Sequence, residues 1–176
     1  GKKTNIIKKD QDAIIILNQT PFYGESGGQV GDNGFLQNNN FKFEVLKTTK
    51  IFGNYFLHSG KVINGNCKIN DNIKASINDK NRNLIKYNHS STHLLHSALR
   101  KTLGEHVTQK GSLVNSEKLR FDFSHNNIIE KEKILIIEAI VNDQIKNNSS
   151  VEVKILDQKK AIEEGAIALF GEKYGD

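Results

Sequence analysis

The stretch Asn88-His-Ser-Ser-Thr-His-Leu-Leu-His-Ser-Ala-Leu-Arg100, NHSSTHLLHSALR, marks the change of period on which the fold turns. It holds three of the chain's six histidines within eight residues. On a helix, residues four apart differ by about 40° around the axis, so His89 and His93 share one stripe. His96 lies on the same stripe, about 20° to the other side of His89. Leu84, Leu94, Leu95, Ala98 and Leu99 fill an adjoining arc that can pack, and Thr92 falls at the border between the two faces. A packed wall meeting a row of imidazoles is a place for a polar pocket. The helical pattern runs from Asp79 to Leu103, with Gly104 as its stop.

Before Asp79 the residues read as strand. Ala13-Ile-Ile-Ile-Leu17 is an apolar run that reads as buried, Phe41-Lys-Phe-Glu-Val45 alternates, and Tyr55-Phe-Leu57 is a further short strand. Gly53-Asn54, Gly60 and Asn64-Gly65 read as turns. Short strands with this punctuation predict a small β-barrel-like module over residues 1–78. After the helix, Gly111–Val114 and Leu119–Phe123 read as strands joined by the turn Asn115–Lys118. A helix over Ile128–Lys146, a strand over Val151–Ile155 and a helix over Lys160–Phe170 follow. The fold class is therefore α+β, with a β-module at 1–78 and an α+β core at 79–176.

The chain has 176 residues, enough to bury a sizeable core, and a formal net charge of +5. Its lysines are dispersed rather than blocked, so charge alone is a weak pointer to a polyanion. With Cys67 the only cysteine, no internal disulfide can form, which fits a reducing compartment. No apolar run reaches the length of a membrane span, and a cytoplasmic location with no membrane partner is the expectation.

Two further segments carry chemistry. Thr20-Pro-Phe-Tyr-Gly-Glu-Ser-Gly-Gly-Gln-Val-Gly-Asp-Asn-Gly34 places five glycines in fifteen residues. Glycines allow close backbone approach to a ligand, so Gly27, Gly28 and Gln29 are candidates for a ligand contact, which the family resemblance described below would make an ester or RNA contact; a long irregular loop of the β-module explains them equally well. The segment is neither a GxGxxG fingerprint nor a P-loop. In His106-Val-Thr-Gln-Lys-Gly-Ser112, just past the helix stop, Gln109 could offer a donor and an acceptor to a small polar substrate. His89 and His93 have metal-ligand spacing, but Ser90 is not the glutamate that an HExxH protease uses as its base. Zinc needs more protein ligands than two, and Cys67, His58, His106, His125 and several carboxylates are all open candidates.

Taken together, TPFYGESGGQVGDNG, NHSSTHLLHSALRK and HVTQKGSLVNSEKLRFDFSH resemble, in this order and at similar spacing, the editing region of alanyl-tRNA synthetases. Related modules occur in threonyl-tRNA synthetases and in free-standing deacylases, while TPFYxESGGQxGD favours the alanine type. Asn18 stands where the family commonly has an acid, and Gly24 where alanine or proline is usual. The resemblance implies hydrolysis of serine or glycine wrongly esterified to the acceptor end of tRNA(Ala). It implies Zn2+ held by His89 and His93 with a Cys and a His of a later CxxxH segment. This chain carries no such segment, so the expectation is a fragment of a longer synthetase, incomplete at its C-terminus, with half a metal site and weak activity alone. ATP and Mg2+ would belong only to the parent's aminoacylation domain. Thr92 and Gln109 are the residues expected to read serine's hydroxyl, which alanine lacks. A free-standing trans-editing deacylase and a non-catalytic tRNA-binding module are the alternatives.

Overall fold

The computed structural model describes residues 3–150 and 154–164. Its fold is α+β, with two antiparallel sheets. Strands β1 (Ile6–Lys8), β2 (Asp12–Ile16), β3 (Gly34–Asn38), β4 (Phe41–Ile51), β5 (Tyr55–Lys68) and β6 (Lys74–Ile77) form one six-stranded sheet. Helix α1 (Asp79–Leu103), the hairpin β7 (Gln109–Val114) and β8 (Leu119–Phe123), helix α2 (Lys131–Asn147) and the short α3 (Gln158–Glu163) complete the described chain.

The first sheet runs β1-β5-β4-β3-β6, with β2 also paired to β5, and it does not close into the barrel that the strand pattern predicts. Strand β5, fourteen residues long, gives its C-terminal end to β1 and its N-terminal half to β2. Strand β6 pairs only with β3, which leaves β6 and the β1–β2 side as separate edges. An open cleft lined by Ile7, Ile15, Ile73 and Ala75 lies between them.

Gly60 and Gly65 are not turns; both lie inside β5. A Cβ on Gly60 would overlap the carbonyl of Glu44, and Gly65, at φ +73°, faces Asn40 equally closely. The register between β4 and β5 slips twice, skipping Ile63 on β5 and Leu46 on β4. Glycine inside a strand marks a bulge or a close backbone approach, and here it marks both. The actual turn, Phe52-Gly53-Asn54, has φ +47° at Phe52 and +77° at Gly53.

Alternation places Phe41, Phe43 and Val45 of β4 in a core with Phe22, Leu36, Val62 and Cys67. The run in β2 is not uniformly buried: Ala13 and Ile15 pack inward, whereas Ile14 and Ile16 remain 60% and 56% exposed. Apolar residues on both faces hid that alternation in the sequence.

The Asn78 side chain caps α1 by accepting from the Asn81 amide at 3.1 Å, and the Asn78 amide donates to Asn33 O at 2.9 Å. The buried positions of α1 are Ile85, Thr92, Ala98 and Leu99; Leu84, expected in the packed arc, is 41% exposed. The stripe is thus centred on Ile85, Thr92 and Leu99, seven residues apart. Ala98 and Leu99 join Val107 and Ile137 in a second core, flanked by Phe121 and Phe123 of β8 and by Ile140 and Val141 of α2. Beyond α1, Arg100 donates to the carbonyls of Glu105 (2.8 Å) and Val107 (3.1 Å), which fixes the approach to β7.

Helix α2 begins three residues later than the periodicity predicts, and Ile128 is almost fully exposed. Residues 151–153 of the expected strand and 165–170 of the expected last helix lie outside the described residues, and Lys154 and Ile155 are not in a strand.

Candidate functional site

The three segments singled out in the sequence meet at one place. The Gly-rich segment crosses from the first sheet to the second: Val30 donates to Val114 O at 3.0 Å, and Val114 donates to Gly28 O at 2.8 Å. A Cβ on Gly28, which has φ +82°, would sit 2.5 Å from Ser112 O, so only glycine lets the loop lie against β7. Gly27 has φ +58° with open space where a side chain would project.

Between these anchors the Gln29 side chain reaches α1, and its Oε1 lies 2.5 Å from His89 Nδ1. An amide oxygen only accepts, so Nδ1 carries the imidazole proton and Nε2 keeps its lone pair. That Nε2 lies 3.1 Å from His93 Nε2, with the rings stacked 5.0 Å apart. Burial, ahead of repulsion from His93, pulls His89 below the ordinary histidine pKa and keeps it neutral at neutral pH. His96 stands apart from the pair, packed on Phe121 with ring centroids 5.1 Å apart.

Two imidazoles with converging nitrogens suit a zinc ion. At Zn–N distances of about 2.0–2.1 Å, tetrahedral geometry spaces two nitrogens by about 3.4 Å, close to the separation here. The pair supplies two ligand positions, and among the described residues no group of three or more metal-ligating side chains is present. The other candidate ligands are engaged elsewhere. Cys67 is buried in the β-module core. His58 lies between Thr20 Oγ1 (2.8 Å) and Ile15 O (2.9 Å). His106 pairs with His125 at 2.9 Å.

Thr92 is buried, and its hydroxyl donates to Asn88 O at 2.8 Å, so its oxygen can only accept from any further partner. Gln109 opens β7, is exposed, and makes no side-chain hydrogen bond among the described residues. It lies three residues before Ser112, about 10 Å along the strand.

No sequence pattern announces the staple that holds the loop. Asp32, 2% exposed, accepts from the Tyr23 amide at 2.6 Å and from Arg82 Nε at 2.7 Å. Arg82 Nη2 completes a two-pronged pair with the Asp32 carboxylate and reaches Pro21 O at 3.2 Å. Thr48 Oγ1 donates to Asp32 O at 2.8 Å, and Phe22 packs edge-on against His58. Much of TPFYGESGGQVGD is therefore structural, with Gln29 the side chain it delivers to the histidines. An acid and an arginine fifty residues apart leave no local pattern from which to pair them.

Residues 1–81 match the family model of tRNA synthetases class II (A). The match covers the six-stranded sheet, the Gly-rich segment and Asp32, and stops before Arg82 and the histidine pair. Among the described residues no helix is long and apolar enough to cross a membrane.

Proposed function

We propose that the chain is the editing part of an alanyl-tRNA synthetase and hydrolyses serine or glycine wrongly esterified to tRNA(Ala). The reading rests on the meeting of three separate segments: Gln29 of the Gly-rich loop bonds His89 beside His93 on α1, and Gly28 of the same loop lies against Ser112 of β7. A synthetic pocket sized for alanine cannot exclude the smaller glycine, and rejects only weakly a molecule that adds one hydroxyl. A second, hydrolytic site is the physical remedy.

The reaction adds water across the ester: hydroxyl joins the carbonyl carbon, the ribose oxygen leaves, and it takes up a proton to give the free 3′ end and the amino acid. His89 and His93 would hold a zinc ion, which would supply a Lewis acid. The residues of this chain bind and orient. Thr92, with its proton committed to Asn88 O, can accept from the ammonium or the hydroxyl of a seryl group. Gln109 offers both a donor and an acceptor from the start of β7. Gly27, on the open side of the loop, is where an RNA backbone can approach.

The test is deacylation of Ser-, Gly- and Ala-tRNA(Ala) by the complete parent synthetase. The first two should be cleaved and the third spared. Tight tRNA binding with no turnover on any of them would favour a binding module instead.

A further inference from the structure

We propose that Gln29 is a positioning residue: its amide oxygen holds His89 as the Nδ1–H tautomer and aims Nε2 at the point that His93 Nε2 also faces. The metal reading is needed only for what that lone pair serves; the tautomer follows from the hydrogen bond itself.

The base of the Gln29 side chain is fixed on both sides. Its own amide donates to Ser26 O at 3.0 Å, its carbonyl accepts from the Ser26 amide at 3.2 Å, and the flanking Gly28 and Val30 are both bonded to Val114. Gln29 is also 9% exposed, so water competes little for its oxygen. A short contact from such an anchor, 2.5 Å to Nδ1, constrains both the rotation of the His89 ring and the nitrogen that bears its proton. With Nε2 left unprotonated, His93 can donate its own Nε2–H across the 3.1 Å gap when no cation is present. A directed chain results, from His93 through His89 to Gln29. Outer hydrogen bonds of this kind orient histidine ligands and raise their basicity. They also give the Gly-rich loop a chemical role that its glycines do not: the loop sets the histidine lone pair as it docks on β7.

The experiment uses the chain of residues 1–176, stripped of metal and 15N-labelled, at about pH 8, above the ordinary imidazole range. Long-range 1H–15N correlations should show His89 protonated at Nδ1 and bare at Nε2. Gln29→Leu should mix the tautomers, and Gln29→Glu, which keeps an acceptor, should restore the Nδ1–H form. Wild-type His89 found mainly as Nε2–H, or a tautomer unchanged in Gln29→Leu, overturns the proposal. If Gln29→Leu fails to fold, the wild-type chain and Gln29→Glu still decide. A Zn2+ titration followed by the His89 and His93 shifts should weaken about 10–100-fold in Gln29→Leu. Equal affinity in wild type and Gln29→Leu also overturns it. Zn2+ that moves neither histidine in the wild type counts against the metal reading, and the tautomer then judges Gln29 alone.

Discussion

Replacing Arg82 by leucine should loosen the whole site although Arg82 touches neither histidine. The substitution leaves the Asp32 carboxylate, 2% exposed, with the Tyr23 amide as its one remaining side-chain hydrogen bond. Stranding one member of a buried ion pair costs about 3–5 kcal/mol. Arg82 is itself 22% exposed, so solvent screens part of the pair, and the lower end, about 3 kcal/mol, is the appropriate figure. With a urea dependence of about 2 kcal/mol per molar, the unfolding midpoint should fall by about 1.5 M. Asp32→Asn should cost less, about 1–2 kcal/mol, because Arg82 can turn to water while the amide keeps an acceptor for Tyr23. The double variant should show a coupling energy of about 2 kcal/mol in the cycle. Urea unfolding of the four proteins by circular dichroism measures all three numbers. Single variants each within about 0.5 kcal/mol of wild type, and additive, would refute the staple.

Other consequences follow from the same geometry. Gly28→Ala should cost more than Gly27→Ala: both force a side chain into positive φ, at about 1–2 kcal/mol, but only Gly28 would also strike Ser112 O. Thermal unfolding of the pair separates a merely strained position from a blocked one. Burial, partly offset by the bond to Ile15 O, pulls the His58 pKa below its usual 6.5. The unfolded chain therefore binds more protons below pH 6.5, and stability that is full above that value should decline as pH falls through it. The slope is at most about 1.4 kcal/mol per pH unit for this group, ending once the folded-state ring protonates. His58→Gln should flatten the decline, as urea titrations between neutral and mildly acid pH will report. In the complete synthetase, Gln109→Leu should lose about twofold to tenfold on Ser-tRNA(Ala) and less on Gly-tRNA(Ala), which has no hydroxyl to bind. Equal losses on both would mean that Gln109 positions the ester or the water.

What the sequence made legible was local. The span of α1 follows from its period and from Gly104 as stop, both local along the chain, while the Asn78 cap came from the structure. The strand Leu119–Phe123 and the turn before it follow from alternation for the same reason. The architecture of the first sheet did not, because Gly60 and Gly65 signal turns by composition yet are paired residues inside one long strand, close to its register slips, and only the partner strand decides between the two. Closure of the sheet was likewise beyond reach of alternation, which says which face is buried and nothing about which edges meet. At the site, helical spacing was enough to put His89 beside His93. Gln29 was recognisable as part of an unusual loop, but its partner sixty residues on was not, nor was the commitment of the Thr92 hydroxyl to Asn88 O.

In the proposed function, His89 and His93 form the chemical centre of a site that cleaves mischarged tRNA. Its most direct measurement is the rate of Ser-tRNA(Ala) deacylation by the complete synthetase carrying His89→Ala and His93→Ala, with alanylation of tRNA(Ala) followed in the same preparation. Deacylation should be lost while alanylation persists; deacylation at the wild-type rate in that variant would place the chemistry away from the two histidines.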